Sequence, residues 1–266
     1  MKPTLTLHRA YFFVVVWFTL WVGFFGFFRP EEILRALPWP IPPLHARFIG
    51  SFYLSATVFL TLSMIARTLL EVRTIVIMAF TWTGWLLGIT FLHWETFDFS
   101  RPQPWFWVFA YITFPIAAAW LSWAGPARPE PDSSNALPSW AVHYLRFQGV
   151  LLVLLAAACF FAPSWVASIW PWKISTFLAQ VYSGPTLAYG VAGLVLAAHK
   201  NWPETRIPAL GTFVFAALAL VGSCRHLALF TVGSPSKLVW FSVLSVIALG
   251  SAVLSILAFQ STRRSA

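Results

Sequence analysis

Long apolar runs separated by short polar breaks recur along the chain, and within them apolar and polar residues do not alternate at period two. Eight runs are long enough to cross roughly 30 Å of hydrocarbon as helices. They cover about 10–28, 45–66, 73–93, 104–124, 143–162, 177–198, 207–228 and 237–259. Continuous rather than alternating hydrophobicity predicts helices and not barrel strands. The first run follows Lys2, His8 and Arg9 and ends in no A-x-A pattern, so it is expected to be a retained helix and not a signal peptide. The longest polar stretch, near 125–141, leaves no soluble domain, and the expected class is all-α integral membrane protein.

The pattern also repeats. Displacing the chain by 133 positions lays its first half on its second without a gap. Phe27-Phe28-Arg29-Pro30 then meets Phe160-Phe161-Ala162-Pro163, and Pro38-Trp39 meets Pro171-Trp172. Glu71 and Arg73 meet Glu204 and Arg206, His93 meets His226, Phe97 meets Phe230, Pro102 meets Pro235, and Trp107 meets Trp240. From Phe27 to Ser122, 20 of 96 aligned positions are identical, more than so apolar a composition gives by chance. Four runs per copy is an even number, so the copies enter the membrane in the same direction, as a parallel repeat. The expected architecture is therefore eight transmembrane helices arranged as two parallel four-helix repeats, 1–124 and 143–266, joined by a cytoplasmic linker over 125–142. That linker contains the proline-rich segment Gly125–Asn135.

After the first run of each copy, Pro30 and Pro163 occupy a position that proline tolerates at a helix start. Ile33, Leu34 and Leu37 offer an apolar face beside Glu31, Glu32 and Arg35, and Pro38 ends the turn. The second copy has Trp165, Ser168 and Trp170 here. Two short interfacial helices are expected, with Trp39 and Trp172 anchored at headgroup level. The functional alternative is a lid over a cavity.

Composition agrees, since 59% of residues are hydrophobic and 9% charged against about 25% in ordinary soluble domains. The net charge of +9 could suggest nucleic acid, but the basic residues are dispersed around span ends and read as topology signals. With the N-terminus cytoplasmic, ten Lys and Arg fall on that side and seven on the other, which favours both termini inside a cell membrane. Cys159 and Cys224 are not equivalent under the repeat and read as small apolar fillers. Many of the tryptophans fall at belt positions, Trp94, Trp105, Trp107 and Trp240 at one and Trp120, Trp123, Trp140 and Trp202 at the other.

Charged groups are nearly absent from the middle of the runs, which argues against a proton- or sodium-coupled pump. Thr57, Thr61, Thr81 and Thr83 bond readily to their own helices, and Gln148 and Gln180 are the other polar groups there. Polarity gathers at the outer ends. His45, Arg47, His93, Glu95, Asp98, Arg101, Gln180, Arg225 and His226 form the candidate outer-face site, as a cap over a ligand pocket. The competing expectation is a structural ion-pair network among Arg47, Glu95, Asp98 and Arg101. The copies diverge here: Gln180 replaces Arg47, and Ala228 and Thr231 replace Glu95 and Asp98. His93 and His226 sit at equivalent depths and could ligate a haem or magnesium pigment, although the sequence requires no cofactor or metal. Glu71-Val72-Arg73 and Glu204-Thr205-Arg206 read as structural charge pairs in the inner loops. No catalytic residue is assigned, and no Walker sequence, nucleophile elbow or zincin motif is present.

The order Phe-Phe-x-Pro, interfacial turn and then Ala46-Arg47-Phe48-Ile49-Gly50 resembles four-helix bacterial membrane modules of the DoxX-like type. The resemblance covers mainly 24–73, and Gln180 stands at the arginine position of the second copy. It implies a four-helix bundle per repeat and an accessory place in a membrane, sometimes redox, assembly. The leading expectation is a non-catalytic subunit or assembly factor that contacts lipid and other integral membrane subunits, not nucleic acid. The alternatives are a transporter or binder of a lipophilic or small neutral molecule, for which Gly184-Pro185 is a candidate helix break, and a quinone- or lipid-linked enzyme near His93 and Glu95.

Overall fold

The computed structural model describes residues 3–124, 135–230 and 234–264. These residues contain nine α-helices and no strand. They are α1 (Pro3–Phe28), α2 (Pro43–Met64), α3 (Arg73–Leu92), α4 (Pro102–Ala124), α5 (Ser139–Phe161), α6 (Pro163–Ile169), α7 (Thr176–His199), α8 (Trp202–Arg225) and α9 (Pro235–Arg264). All except α6 are long and apolar enough to cross a membrane. Proline opens α2, α4, α6 and α9, where its missing N–H is no loss. Among the long helices, the shortest described connection joins α7 to α8. Lys200 takes the left-handed conformation (φ 57°) and closes α7, and the Asn201 side chain accepts the Glu204 N–H at 2.9 Å to start α8.

The helix limits move from the sequence expectation where such capping acts. Asn201 starts α8 at Trp202 and not near 207, and α5 begins at Ser139, inside the stretch assigned to the linker. Residues 125–134 of that linker lie outside the described residues. Its last part pairs with the α7–α8 turn, where the Leu137 N–H donates to the Lys200 carbonyl at 2.7 Å. The chain does not break at Gly184-Pro185: α7 runs through both, and Gly184 accommodates the Leu86 side chain of α3.

The long helices alternate in direction. We call the end where α1, α3, α5 and α8 finish the upper end, and the opposite end the lower. Packing crosses the midpoint of the chain: α2 lies on α8 and α3 on α7, while α2 barely touches α3 and α7 barely touches α8. These four helices form the centre. Outside them, α1 packs on α2, α4 on α3, α5 on α7 and α9 on α8. One apolar core therefore draws on both halves, with Phe48, Phe52 and Phe59 of α2 buried in the same cluster as Tyr182, Tyr189 and Phe215. The contact of α1 with α2 is close enough to require glycine. A Cβ on Gly50 would stand 2.5 Å from the Phe27 backbone nitrogen, and one on Gly26 would meet the Ala46 carbonyl at 2.8 Å.

At the lower end the repeated Glu-x-Arg segments join the halves. Glu71 accepts hydrogen bonds from the Arg67 and Thr68 backbone N–H groups and the Thr68 hydroxyl, and it pairs with Arg206. Glu204 is fully buried and accepts from Thr74 at 2.8 Å and Asn201 at 3.2 Å, with His199 Nδ1 at 3.0 Å. A carboxylate taken out of water needs this number of donors to remain there.

At the upper end, the segment after α1 is a 3₁₀ stretch, Pro30–Arg35, kinked at Glu32, and the segment after α5 is α6. Ile33 and Leu37 are buried as their spacing predicts, but Leu34 is exposed. The expected headgroup anchors prove to be core residues: Trp39 is 3% and Trp172 5% exposed. Each is enclosed by aromatic edges, with Trp39 5.0 Å from Trp107 and 5.5 Å from Phe97, and Trp172 4.8 Å from Trp240 and 5.2 Å from Phe230. Trp107 and Trp202 are buried too, so neither belongs to a belt, whereas Trp94, Trp105, Trp120, Trp123 and Trp140 are exposed.

Candidate functional site

The nine polar residues singled out in the sequence all lie toward the upper end, but they do not form one cluster. Two pairs join the halves. Arg47, on α2, donates from Nε to His226 Nε2 at 3.1 Å and from a terminal nitrogen to the Phe27 carbonyl. Gln180, on α7, donates from Nε2 to the Phe160 carbonyl at 3.1 Å, which leaves Oε1 to accept from His93 Nε2 at 2.5 Å. In each case a polar side chain of a central helix ties the end of a neighbouring helix to a histidine of the other half.

These bonds fix tautomers. His226 Nε2 accepts, so its ring is neutral with the proton on Nδ1, and His93 carries a proton on Nε2. The His226 pKa is lowered, first by partial burial and then by the positive charges of Arg47 and Arg225, with Glu31 partly opposing them. For a haem or pigment, the Nε2 atom of each histidine is already engaged, by Arg47 and by Gln180. No group of three or more His, Cys, Asp or Glu placed to hold a metal occurs among the described residues.

The ion-pair network expected among Arg47, Glu95, Asp98 and Arg101 does not form. Arg101 donates to the Leu34 carbonyl, and Asp98 accepts from the Ser100 N–H and hydroxyl. Those two bonds, with the charge of Arg101, hold the Asp98 carboxyl below its usual range. Glu95 and Arg225 are exposed. The loop that carries the carboxylates ends in solvent-facing turns, while Arg47 is drawn inward by a carbonyl and an imidazole. His45 is buried elsewhere, its Nδ1 2.7 Å from the Tyr182 hydroxyl and its ring against Trp172.

A further space in the structure was not signalled by polar residues at all. A cavity of about 500 Å³ lies among α5, α6, α7, α8 and α9 with Phe48 and Phe52 of α2 at its back. The lower end of α5 meets α9 near its middle, where the Tyr144 hydroxyl reaches the Ile247 carbonyl at 3.3 Å and Ser251 at 3.5 Å. Above that contact they diverge, and exposed Leu154 and Val239 flank an opening on the side of the bundle. Trp165, Val166, Ile169 and Trp170 of and after α6 form the roof. Apart from the hydroxyls of Thr186, Tyr189, Thr212 and Ser236 and the Trp ring nitrogens, the wall is hydrocarbon, and no charged side chain lines it.

The corresponding space among α1, α2, α3 and α4 is only about 50 Å³. Phe18 fills it, with ring centroids 5.7 Å from Phe106 and Phe114 and 6.0 Å from Tyr53 and Tyr111. The Tyr53 and Tyr111 hydroxyls bond to each other there.

Comparison of this chain with family models, with curated proteins and with solved structures finds no match.

Proposed function

We propose that this is a membrane protein of two tandem parallel repeats whose second half binds a lipophilic molecule admitted sideways from the bilayer between α5 and α9. The carrying observation is the cavity that is open in one half and filled in the other. Displacement by 133 positions explains the difference residue by residue. Phe18, Tyr53, Phe106, Tyr111 and Phe114 become Leu151, Thr186, Val239, Leu244 and Ile247, so five rings give way to smaller side chains around one point. An apolar space of several hundred Å³ that opens to lipid suits a hydrocarbon occupant, which gains contact with the wall and removes an underpacked void.

The recurrence of contacts at the same displacement supports the repeat. Arg47–His226 becomes Gln180–His93, and their bonds to the Phe27 and Phe160 carbonyls correspond. The Trp107 indole donates to Thr90 at 3.1 Å and the Trp240 indole to Ser223 at 3.0 Å. The sequence count of ten Lys and Arg against seven favours the lower end as the cytoplasmic one, with both termini on that side of a cell membrane. The cavity roof then faces outward. In this reading His93, paired with Gln180 and not with Glu95, works as a strut.

The test is native mass spectrometry of the full chain in mild detergent. The wild type should carry a lipophilic molecule, and Leu151→Phe/Leu244→Tyr/Ile247→Phe, which copies the packing of the first half, should come out empty. Equal loading of the two proteins, or a wild type that is empty when extracted gently, overturns the reading. A second reading, a subunit or accessory factor of a larger assembly as in the DoxX-like resemblance, draws on the exposed ridge Trp105, Phe109, Ile112, Ile116, Trp120 and Trp123 along α4. Its readout in the same spectra is a stoichiometric protein partner.

A further inference from the structure

We infer that the lipophilic ligand is an uncharged lipid bearing a carbonyl oxygen, held at mid-depth by Thr186 and Thr212, with its hydrocarbon chain leaving between α5 and α9. This rests on the lipid-binding reading above and narrows it. Thr186 lies at the middle of α7 and Thr212 at the middle of α8, and both line the cavity. Each is 7% exposed, yet neither hydroxyl has a hydrogen-bond partner among the described residues. Several hydroxyls of the four central helices behave differently: Ser55, Ser63, Thr83, Thr90 and Thr205 bond back to their own helix, and Tyr189, also in the cavity wall, bonds to Ser55. Two hydroxyls left open on one apolar wall, with the buried Trp170 Nε1 of the roof also unpaired, are free to donate to an acceptor inside the cavity.

Depth and charge define the acceptor. A phosphate or carboxylate at the centre of the bilayer costs about 3 kcal/mol or more, and no Lys or Arg lines this cavity to offset it. A phospholipid must also keep its head at the interface, about half the hydrocarbon thickness from these threonines. A neutral ester or ketone suffers neither penalty and accepts from both hydroxyls. The volume is sufficient, since a dry cavity of about 150 Å³ already binds benzene and this one is about 500 Å³. Tyr53, the counterpart of Thr186, satisfies its hydroxyl with Tyr111, so the first half has no equivalent of the open Thr186 hydroxyl.

The experiment uses the full chain in phospholipid nanodiscs with three photoreactive probes: a diacylglycerol, a phosphatidylcholine with the same acyl chain, and a headless hydrocarbon. Diacylglycerol should label the 151–155 and 239–247 peptides at least about fivefold above the other two, the range two neutral hydrogen bonds supply. Thr186→Val/Thr212→Val, similar in shape, should remove that preference while the melting temperature holds. Competition with unlabelled isoprenoid ketone against unlabelled diacylglycerol tells which carbonyl source is preferred. If all three probes label these peptides equally and the valine variant changes nothing, the carbonyl assignment is wrong while the cavity reading stands. If no probe labels them, or if the Leu151→Phe/Leu244→Tyr/Ile247→Phe protein labels like the wild type, the cavity reading falls.

Discussion

At the scale of single residues, the two cross-half struts differ by one charge, and the difference has consequences for pH. His226 accepts from Arg47, so protonating it removes an acceptor and sets a cation beside Arg47 and Arg225. Its pKa is lower folded than unfolded, so the unfolded chain binds the extra proton first. The stability it contributes is complete above about pH 6.5 and is lost as pH falls below that value. Thermal melting followed from pH 7.5 to pH 5 should therefore fall more steeply for the wild type than for His226→Gln, which keeps an acceptor for Arg47. Parallel curves would show that His226 does not titrate against the arginines. Arg47→Gln should be tolerated within about 1 kcal/mol, because Gln180 already fills this role in the other half, and it should flatten the pH dependence as well. Displacement by 133 positions aligned Arg47 with Gln180 and His93 with His226 in the sequence, but the pairing of Arg47 with His226 and of Gln180 with His93 was not legible there. Glu95, Asp98 and Arg101 misled because charge near a span end looks the same in sequence whether it turns inward or out to solvent.

At the scale of helices, packing depends on a few close approaches and buried knots. Gly50→Val should push α1 from α2 and destabilise the protein by about 1–3 kcal/mol, because the added carbon meets backbone and not a movable side chain. Gly184→Val should cost less, since Leu86 and Trp85 are side chains that can shift. Replacing Glu204 by Ala strips the shared acceptor from Thr74, Asn201 and His199, with an expected loss of about 3 kcal/mol. Chemical denaturation in detergent micelles would rank the three. The eight long helices themselves were readable from apolar length, as was the short segment after α1 and α5 from its proline. The burial of Trp39 and Trp172 was not, because tryptophan serves both as interfacial anchor and as core filler, and only the flanking Trp107–Phe97 and Trp240–Phe230 pairs distinguish the two.

At the scale of the whole molecule, the cavity arises from a contrast between the two halves, and the contrast can be reversed. Phe18→Leu/Phe114→Ile should open a space among α1–α4 and destabilise the protein by about 2–4 kcal/mol, with a second lipophilic molecule appearing in native spectra. An unchanged mass and stability would show that those rings do not hold that space shut. The information was present in the aligned sequence, as five aromatic positions that became smaller, but apolar-for-smaller-apolar changes leave no polar mark to draw the eye. The crossing of α2 onto α8 and α3 onto α7 carries a different implication. A polypeptide ending after α4 would leave the α8-facing side of α2 and the α7-facing side of α3 without their partners, yet each side would find its match on another such polypeptide turned about a twofold axis. A fragment 1–124 should therefore self-associate, and when co-produced with 135–266 the two should assemble into the intact bundle, the joining segment being dispensable once both pieces share a bilayer.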